Sequence, residues 1–271
     1  MVPQTSSKII TWIIKTWVGW FYNLVVRFDR DRIVSFMNYG YTDLDPSAEK
    51  LPLSPQEEKV RFEIQLYHRM ASAADWNGKD GLEVGSGRGG GAAFITQRFH
   101  PQSMTGLDLS EQAVVACNQK FASVPGLRFI QGDAEAIPLE AESVDIVLNL
   151  ESSIYYPNFP LFLKNVYRVL RPNGLFLYAD MRYASEIDGW RAQLLDSGLQ
   201  LIREEDISPN TKKAVALMQQ YRREQIDRYL PAIFRPLFHK YSGADGRRLL
   251  SGSKTLGERL YYNFVLRKPA G

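Results

Sequence analysis

Short apolar runs alternate with helix-like segments along the chain from residue 80 onward. Five apolar runs predict strands over 80–85, 103–110, 127–133, 144–150 and 175–182. Between them, apolar residues recur at helical spacing over 90–99, 111–121 and 159–170. Strands that alternate with helices in this way are typical of a parallel sheet covered on both faces. The pattern therefore predicts an α/β fold in which ligands bind at the carboxyl ends of the strands.

The pattern predicts further elements on both sides of this sheet. A helix is expected over 57–74, after a turn-rich stretch, and another over 186–196. A sixth strand is expected at 199–208 and a last one at 259–268; the chain between them reads as helical over 209–243, interrupted by Pro231 and Pro236. That block is too long for a loop. We therefore divide the chain into an N-terminal helical segment that forms a lid, 1–78, and a sheet domain, 79–271, with a helical cap at 209–254.

The N-terminal stretch 8–28 is apolar and rich in tryptophan. It lacks the small-residue cleavage site of a signal peptide. Lys15 and Asn23 interrupt it, and a charge near the centre of a bilayer is costly, so a membrane-spanning helix is disfavoured. As a helix it would gather its isoleucines and Trp17 on one broad face. Two interpretations stay open: a helix packed on the domain, or peripheral docking on a membrane surface.

Composition narrows the classes of function. The net charge of +3 and the pI near 8.8 do not indicate a nucleic-acid-binding protein, which would need basic residues clustered on one face. The single cysteine, Cys117, excludes an internal disulfide framework and is typical of a reducing compartment. With three histidines, a metal site is not expected. We expect a cytoplasmic protein, free or membrane-associated, that could form a homodimer.

Five glycines lie between the first predicted strand and its helix, in the sequence LEVGSGRGGGAAF. Glycine permits a tight turn and a close approach of backbone to ligand, and the helix start offers free N–H groups. Gly85, Gly87 and Gly90 satisfy G-x-G-x-x-G, and Asp108 follows Gly90 by 18 residues, where a ribose-binding acid is expected. A nicotinamide-dependent oxidoreductase is therefore one candidate.

Other features favour a different nucleotide cofactor. Glu83 lies two residues before the first glycine, where a carboxylate can face a cationic ligand rather than a pyrophosphate. The run QGDAEAIPLEAESVDIV (131–147) puts a Gly-Asp turn at the end of the third strand, followed by a short loop into the fourth. Acids also stand at the ends of four of the five predicted strands, where ligands of such sheets bind, at Asp108, Asp133, Glu151 and Asp180. The sheet is followed by a cap and one last strand instead of a second substrate domain.

Together these residues resemble the class I S-adenosylmethionine-dependent methyltransferases, from about Tyr39 to the C-terminus. The resemblance implies a Rossmann-like seven-stranded sheet with N-terminal helices and a helical cap before the last strand. It also implies S-adenosylmethionine as cofactor and S-adenosylhomocysteine as product. The residues matched to the methionine-binding loop are Glu83, Gly85, Ser86, Gly87 and Gly89. Asp108 and Leu109 match the acid and the apolar residue at the ribose and adenine. Asp133 and Ala134 match the pair at the adenine edge, and Asn149, Leu150 and Glu151 match the strand end beneath the sulfonium.

A closer likeness lies with mycobacterial phthiotriolone and phenolphthiotriolone dimycocerosate O-methyltransferases and with glycopeptidolipid O-methyltransferases. It is carried by LYHR (66–69), GRGGGA (87–92), TGLDLS (105–110), VLNLESS (147–153) with YP (156–157), and YADMR (178–182). Tyr39 and Tyr41 match an aromatic segment that closes over the cofactor in related enzymes. The resemblance implies methyl transfer to a hydroxyl of a lipophilic small molecule, such as a polyketide-derived lipid. Carbon or nitrogen methylation and a non-catalytic, membrane-docked binding module remain alternatives.

The residue that would take a proton from the acceptor is not obvious. An aliphatic hydroxyl is too weak an acid to react well without a base, whereas a phenol needs less help. The resembled enzymes generally carry a histidine after Glu-x-Ser, where this chain has Ile154. Three alternatives stay open: Glu151 or a tyrosine acts, His239 of the cap acts, or the acceptor is acidic enough to need little help. We favour positioning of the acceptor by Tyr155, with no strong base.

Overall fold

The computed structural model of the protein describes residues 35–241 and 257–270. The predicted helix at 8–28 and the end of the predicted cap, 242–254, lie outside the described residues. The strands are β1 (Asp80–Val84), β2 (Ser103–Asp108), β3 (Leu127–Gln131), β4 (Val144–Leu150), β5 (Leu170–Tyr183), β6 (Gln200–Asp206) and β7 (Arg259–Arg267). The helices are α1 (Arg61–Ala71), α2 (Gly90–Phe99), α3 (Glu111–Lys120), α4 (Phe159–Val169), α5 (Ile187–Asp196), α6 (Ser208–Tyr229) and α7 (Arg235–Tyr241).

The strands form one sheet in the order β3-β2-β1-β4-β5-β7-β6. The first five strands are parallel, as the alternation predicted, and their carboxyl ends share one edge. β7 runs antiparallel to β5 and β6, which departs from that prediction. The reason lies in the cap: α6 begins at the carboxyl edge directly after β6, so the chain enters β7 from that edge and runs back. The predicted seven-stranded, Rossmann-like sheet is confirmed.

Buried side chains cover both faces of the sheet. Helices α1, α2 and α3 pack on one face, and α4 and α5 pack on the other. Adjacent residues of β4 show why its centre is apolar on both faces: Val147 belongs to one buried cluster and Leu148 to the other. The prediction of a doubly covered sheet is therefore confirmed for the described residues.

The cap differs from the sequence prediction at one of its prolines. Pro231 lies in the gap between α6 and α7, so the break predicted there is confirmed. Pro236 instead lies in the first turn of α7. A helix can hold proline there, because the N–H groups of the first turn have no partner within the helix. The predicted break at Pro236 is wrong.

Residues 35–41, which we call the strap, cross the carboxyl edge of the sheet before α1 begins. The carbonyl of Ser35 accepts the N–H of Gly90, at the start of α2, at 3.2 Å. The side chain of Asn38 donates to the carbonyl of Glu63 at 3.3 Å. Tyr39 packs against the buried residues of α6. The strap therefore connects the glycine-rich loop, α1 and the cap.

Candidate active site

Three glycines shape the loop between β1 and α2. Gly85, Gly87 and Gly89 have φ values of +75°, +52° and +74°, a region that side chains other than glycine rarely adopt. Asp108, at the end of β2, accepts the N–H of Gly87 at 2.8 Å and that of Ser110 at 2.9 Å. Burial raises the pKa of the Asp108 carboxyl, although these backbone donors favour its charged form. The acid matched to the ribose thus also holds the loop against β2.

Glu83 lies just before this loop and is 1% exposed. Its Oε1 accepts the hydroxyl of Tyr67 at 2.7 Å, whereas no donor among the described residues reaches its Oε2. The buried hydroxyl of Ser86 likewise has no partner among them. Burial raises the pKa of Glu83 to about 8.

The loop region therefore offers two buried polar atoms, Glu83 Oε2 and Ser86 Oγ, for a ligand to engage. It also offers open space, because a Cβ placed on Gly87 would meet no atom within 4 Å. A polar, cationic group such as the methionine part of S-adenosylmethionine fits this donor and acceptor set.

The ends of β2 and β3 meet where the resemblance places ribose and adenine. The N–H of Gly132 donates to the carbonyl of Asp108 at 2.9 Å. Asp133 shapes the following turn, since its carboxylate accepts the N–H of Glu135 at 2.9 Å. Leu109 is exposed, and Ala134 is buried. The chain segments that carry Asp108 and Asp133, 25 residues apart in the sequence, are thus adjacent at this edge.

The end of β4 packs directly on the glycine-rich loop. The buried Nδ2 of Asn149 lies 2.9 Å from the carbonyl of Val84, 2.7 Å from Ser152 Oγ and 3.1 Å from the hydroxyl of Tyr156. A Cβ on Gly85 would overlap Ser152 and crowd Tyr156. Any acceptor held at the end of β4 is therefore adjacent to the loop.

Glu151 connects three distant segments. Its backbone is left-handed, with φ +52°, which is strained for a residue other than glycine. Its Oε1 accepts the N–H of Tyr39 in the strap at 2.8 Å and the hydroxyl of Tyr261 in β7 at 2.7 Å. Burial and the nearby Glu151 raise the pKa of Tyr261 well above its usual value, so its hydroxyl stays a donor. The structure brings the predicted Tyr39 and Glu151 together.

A buried carboxylate fixes the turn that follows β4. Asp180 is fully buried and accepts the hydroxyl of Ser153 at 2.6 Å and the N–H of Ile154 at 3.0 Å. Arg182 pairs with it at 3.5 Å. The turn Ser153–Tyr155 is therefore anchored at its base, with Tyr155 47% exposed at its end.

The remaining predicted catalytic residues differ in their surroundings. Partial burial raises the pKa of the Tyr155 phenol, the carboxylates of Asp180 and Glu151 add to the rise, and Arg259 opposes it. His239 lies on α7, where its Nε2 is 3.0 Å from the carboxylate of Asp227 in α6. The structure thus groups Tyr155 with Glu151, whereas the partner of His239 belongs to the cap. The catalytic roles of all three stay predictions.

Sequence reasoning missed Tyr261 and Arg259, the residues that β7 contributes. Arg259 lies opposite Tyr183 in the β5–β7 pairing, donates to its hydroxyl at 3.2 Å and stands 4.8 Å from the centre of its ring. Neither residue has a local sequence signal. Only the antiparallel pairing of β7 with β5 brings them to this edge.

The described part of the chain contains neither a cluster of metal-ligating side chains nor a membrane-spanning helix. No group of three or more histidine, cysteine, aspartate or glutamate side chains within 35–241 and 257–270 could hold a metal ion. No helix in these ranges is long and apolar enough to cross a membrane.

Comparison with known proteins decides the family. A family model described as a methyltransferase domain matches residues 82–178, from β1 to β5. The chain is 43% identical over 232 residues to a probable phthiotriol/phenolphthiotriol dimycocerosates methyltransferase 2 of Mycobacterium ulcerans (strain Agy99), covering 86% of this chain and 88% of that protein. This chain belongs to the S-adenosylmethionine-dependent methyltransferases. The predicted family and the predicted enzyme class are confirmed.

Further comparisons agree with this assignment. A fatty-acid O-methyltransferase of Mycolicibacterium smegmatis (strain ATCC 700084 / mc(2)155) is 40% identical over 243 residues, covering 90% of this chain and 84% of that one. The geranyl diphosphate C-methyltransferase of Streptomyces coelicolor A3(2), solved with S-adenosylhomocysteine, superposes with a TM-score of 0.66 at 16% identity, covering 94% and 97% of the two chains. That likeness shows the shared fold. The methyltransferase uses S-adenosylmethionine as its cofactor, so the nicotinamide alternative is set aside.

Proposed function

We propose that this methyltransferase transfers the methyl group to a hydroxyl-type oxygen of a lipophilic small molecule. The observation that carries the proposal is the packing of Gly85 against Ser152 and Tyr156, which places the end of β4 beside the cofactor loop. Relatives about 40% identical are named for methylation of phthiotriol dimycocerosates and of fatty acids, which supports a lipid-like acceptor.

The proposed mechanism depends on alignment more than on acid–base chemistry. The cofactor, when bound, supplies an activated methyl group on its sulfonium. The chain must then hold the acceptor in line and exclude water. Glu83, Ser86 and Asp108 would hold the cofactor. Tyr155, whose raised pKa keeps its hydroxyl protonated, would donate a hydrogen bond that orients the acceptor.

Apolar residues around the strap support a lipophilic acceptor. Tyr39 and Phe62 pack against Met218 of α6, which brings strap, helix and cap together over the carboxyl edge of the sheet. Ile154 lies partly buried against the core on the same side. The apolar part of the acceptor would therefore meet apolar side chains of the strap, α1 and the cap beside the polar reaction centre.

Binding and product analysis test this proposal together. We expect calorimetry to show binding of S-adenosylmethionine and S-adenosylhomocysteine and none of NAD. Incubation with S-adenosylmethionine and lipid extracts should yield oxygen-methylated products by mass spectrometry. A methyl group found on carbon or nitrogen would contradict the proposal.

We also propose that residues 8–28 dock on a membrane surface, as their tryptophan-rich apolar sequence favours. Liposome flotation of the full chain against a chain that begins at Asp29 tests this. The full chain should float and the shorter one should not; equal partitioning would overturn membrane docking.

A further inference from the structure

Tyr261 is held firmly within the sheet. It lies in β7, an interior strand, and its side chain is fully buried. Its N–H donates to Ser208 Oγ at 2.8 Å, and its carbonyl accepts the N–H of Ile207 at 2.8 Å. The phenol ring therefore has a fixed position, from which its hydroxyl reaches Glu151 Oε1 at 2.7 Å.

Glu151 accepts this hydroxyl while its backbone is strained. Its φ of +52° is unfavourable for a residue with a side chain, and such strain persists only where surrounding contacts impose it. The contacts that Glu151 makes include the hydrogen bond from its own N–H to the carbonyl of Ala179, at 3.0 Å. They also include the two hydrogen bonds that its Oε1 accepts, from Tyr39 and from Tyr261. The hydroxyl of Tyr261 therefore helps to hold Glu151 in this conformation.

The strap lies outside the sheet and is attached at both ends. At one end the carbonyl of Ser35 accepts the N–H of Gly90, at 3.2 Å. A Cβ on Gly90 would overlap this carbonyl, so the strap lies directly against the start of α2. Near the other end, the N–H of Tyr39 donates to Glu151 Oε1 at 2.8 Å. The position of the strap beside the glycine-rich loop therefore depends on Glu151.

We propose that Tyr261 is a positioning residue of the methyltransferase: its hydroxyl holds Glu151 in the left-handed conformation in which the carboxylate binds Tyr39 of the strap. Tyr261 acts through Glu151 and needs no contact with the cofactor or the acceptor. A hydrogen bond to a carboxylate is stronger than one between neutral groups. Loss of this single hydroxyl should therefore loosen the strap, which is remote from Tyr261 in the sequence.

The consequence for the cofactor follows from where the strap lies. It meets the start of α2, next to the loop where Glu83 Oε2 and Ser86 Oγ offer buried polar atoms to a ligand. Without the hydroxyl of Tyr261, Glu151 can relax towards an ordinary backbone conformation and release the N–H of Tyr39. The strap would then be held at fewer points beside the loop, and the cofactor would bind more weakly.

Hydrogen exchange of the full-length protein tests the effect on the strap. Tyr261→Phe keeps the ring and removes the hydroxyl alone. We expect amide exchange in residues 35–41, measured by mass spectrometry, to become about tenfold faster or more. Tyr262→Phe is the matched control, since the ring of Tyr262 packs on the other face of the sheet, beside Trp190 and Phe264. This control should leave exchange in the strap unchanged.

A double-mutant cycle on cofactor affinity tests whether Tyr261 acts through Glu151. Calorimetry with S-adenosylhomocysteine should show that Tyr261→Phe weakens binding about tenfold in the otherwise unchanged protein, but less than about twofold in a Glu151→Ala background. Glu151→Gln keeps an oxygen that can accept both hydrogen bonds, so Tyr261→Phe should again weaken binding in that background. A tyrosine that acted through packing alone would have the same effect in all three backgrounds.

These measurements need no identified acceptor, so their outcome is independent of the proposed hydroxyl-type acceptor. Unchanged exchange of the strap in Tyr261→Phe would overturn the inference. Equal losses of affinity in the unchanged and Glu151→Ala backgrounds would overturn it as well. Exchange in α4, on the other face of the sheet, is followed in the same experiment. A parallel rise there would show a general loss of stability and would count against a positioning role.

Discussion

The two halves of the carboxyl edge of the sheet differ in the groups that line them, backbone in one half and side chains in the other. The cofactor edge, at the ends of β1, β2 and β3, consists largely of backbone: left-handed glycines and N–H groups held by Asp108. The acceptor edge, which we define as the turn Ser153–Tyr155 with the adjoining ends of β4, β5 and β7, consists of side chains from distant parts of the chain. The contact of Tyr39, Glu151 and Tyr261 shows this. A backbone cradle serves one constant ligand, whereas a side-chain surface can change its ligand through a few substitutions.

The largest effect should come from the buried carboxylate of the acceptor edge. Asp180→Asn removes the charge that faces Arg182 and weakens the acceptor for Ser153. Loss of one partner of a buried pair costs about 3–5 kcal/mol, which urea unfolding would measure. Asp188→Asn is the matched control, since its ion pair with Arg191 is exposed and should be worth under about 1 kcal/mol. Equal losses in both variants would show that the acceptor edge does not depend on its buried network.

At the cofactor edge, substitution should weaken affinity more than stability. Asp108→Ala removes the acceptor for the N–H of Gly87 and should weaken binding of S-adenosylhomocysteine by about a hundredfold, or about 3 kcal/mol, while the fold survives. Calorimetry measures the affinity, and circular dichroism checks the fold. Asp75→Ala, an exposed aspartate that also accepts a backbone N–H, serves as control. Unchanged affinity in Asp108→Ala would refute its part in the cofactor site.

The buried acid of the cofactor edge should make stability depend on pH. The pKa of Glu83 is raised from its usual value to about 8, so the folded protein holds a proton that the unfolded chain releases near pH 4.5. The resulting stabilisation is fully present below pH 4.5 and is lost as the pH rises through 8. Between pH 5 and 6.5 the cofactor-free protein should lose about 2 kcal/mol relative to Glu83→Gln, measured by chemical denaturation. Parallel pH curves for the two proteins would contradict the raised pKa.

The smallest effect should come from Glu151→Gln. The amide oxygen can still accept the N–H of Tyr39 and the hydroxyl of Tyr261, so kcat should fall less than about tenfold. A general base contributes roughly a hundredfold to ten-thousandfold, so a larger fall with an altered pH–rate profile would assign proton removal to Glu151. Glu151→Ala, which loses both contacts, should raise the KM for the cofactor more than the glutamine variant does.

Most of the sheet could be predicted from the sequence because β1, β2 and β4 are short apolar runs with turns at both ends. The direction of β7 could not be predicted, because the alternation of apolar and polar residues in a strand is the same whether the strand runs parallel or antiparallel to its neighbours. β5 also begins at Leu170 rather than near 175, since Leu170 already pairs with Val144 across the sheet. That pairing is a tertiary effect with no local pattern.

The same limit applies to the site. The glycines at 85, 87 and 89 and the acids at strand ends can be recognised in the sequence. Each of them acts on the backbone of the loop in which it lies, so a local pattern marks it. The contacts of Glu151 with Tyr39 and Tyr261 span 112 and 110 residues. No spacing rule connects positions so far apart, so Tyr261 and Arg259 were found only in the folded chain.

The place of β7 between β5 and β6 sets the order in which the molecule can be completed during synthesis. The last strand in chain order is an interior one, and among the described strands β6 pairs with β7 alone. Until β7 has been synthesised, β5 is an exposed edge of the sheet and can pair with a strand of another chain. A nascent chain that stops before Arg259 therefore lacks β7, the described strand that pairs with β6, and it also lacks the tyrosine that meets Glu151.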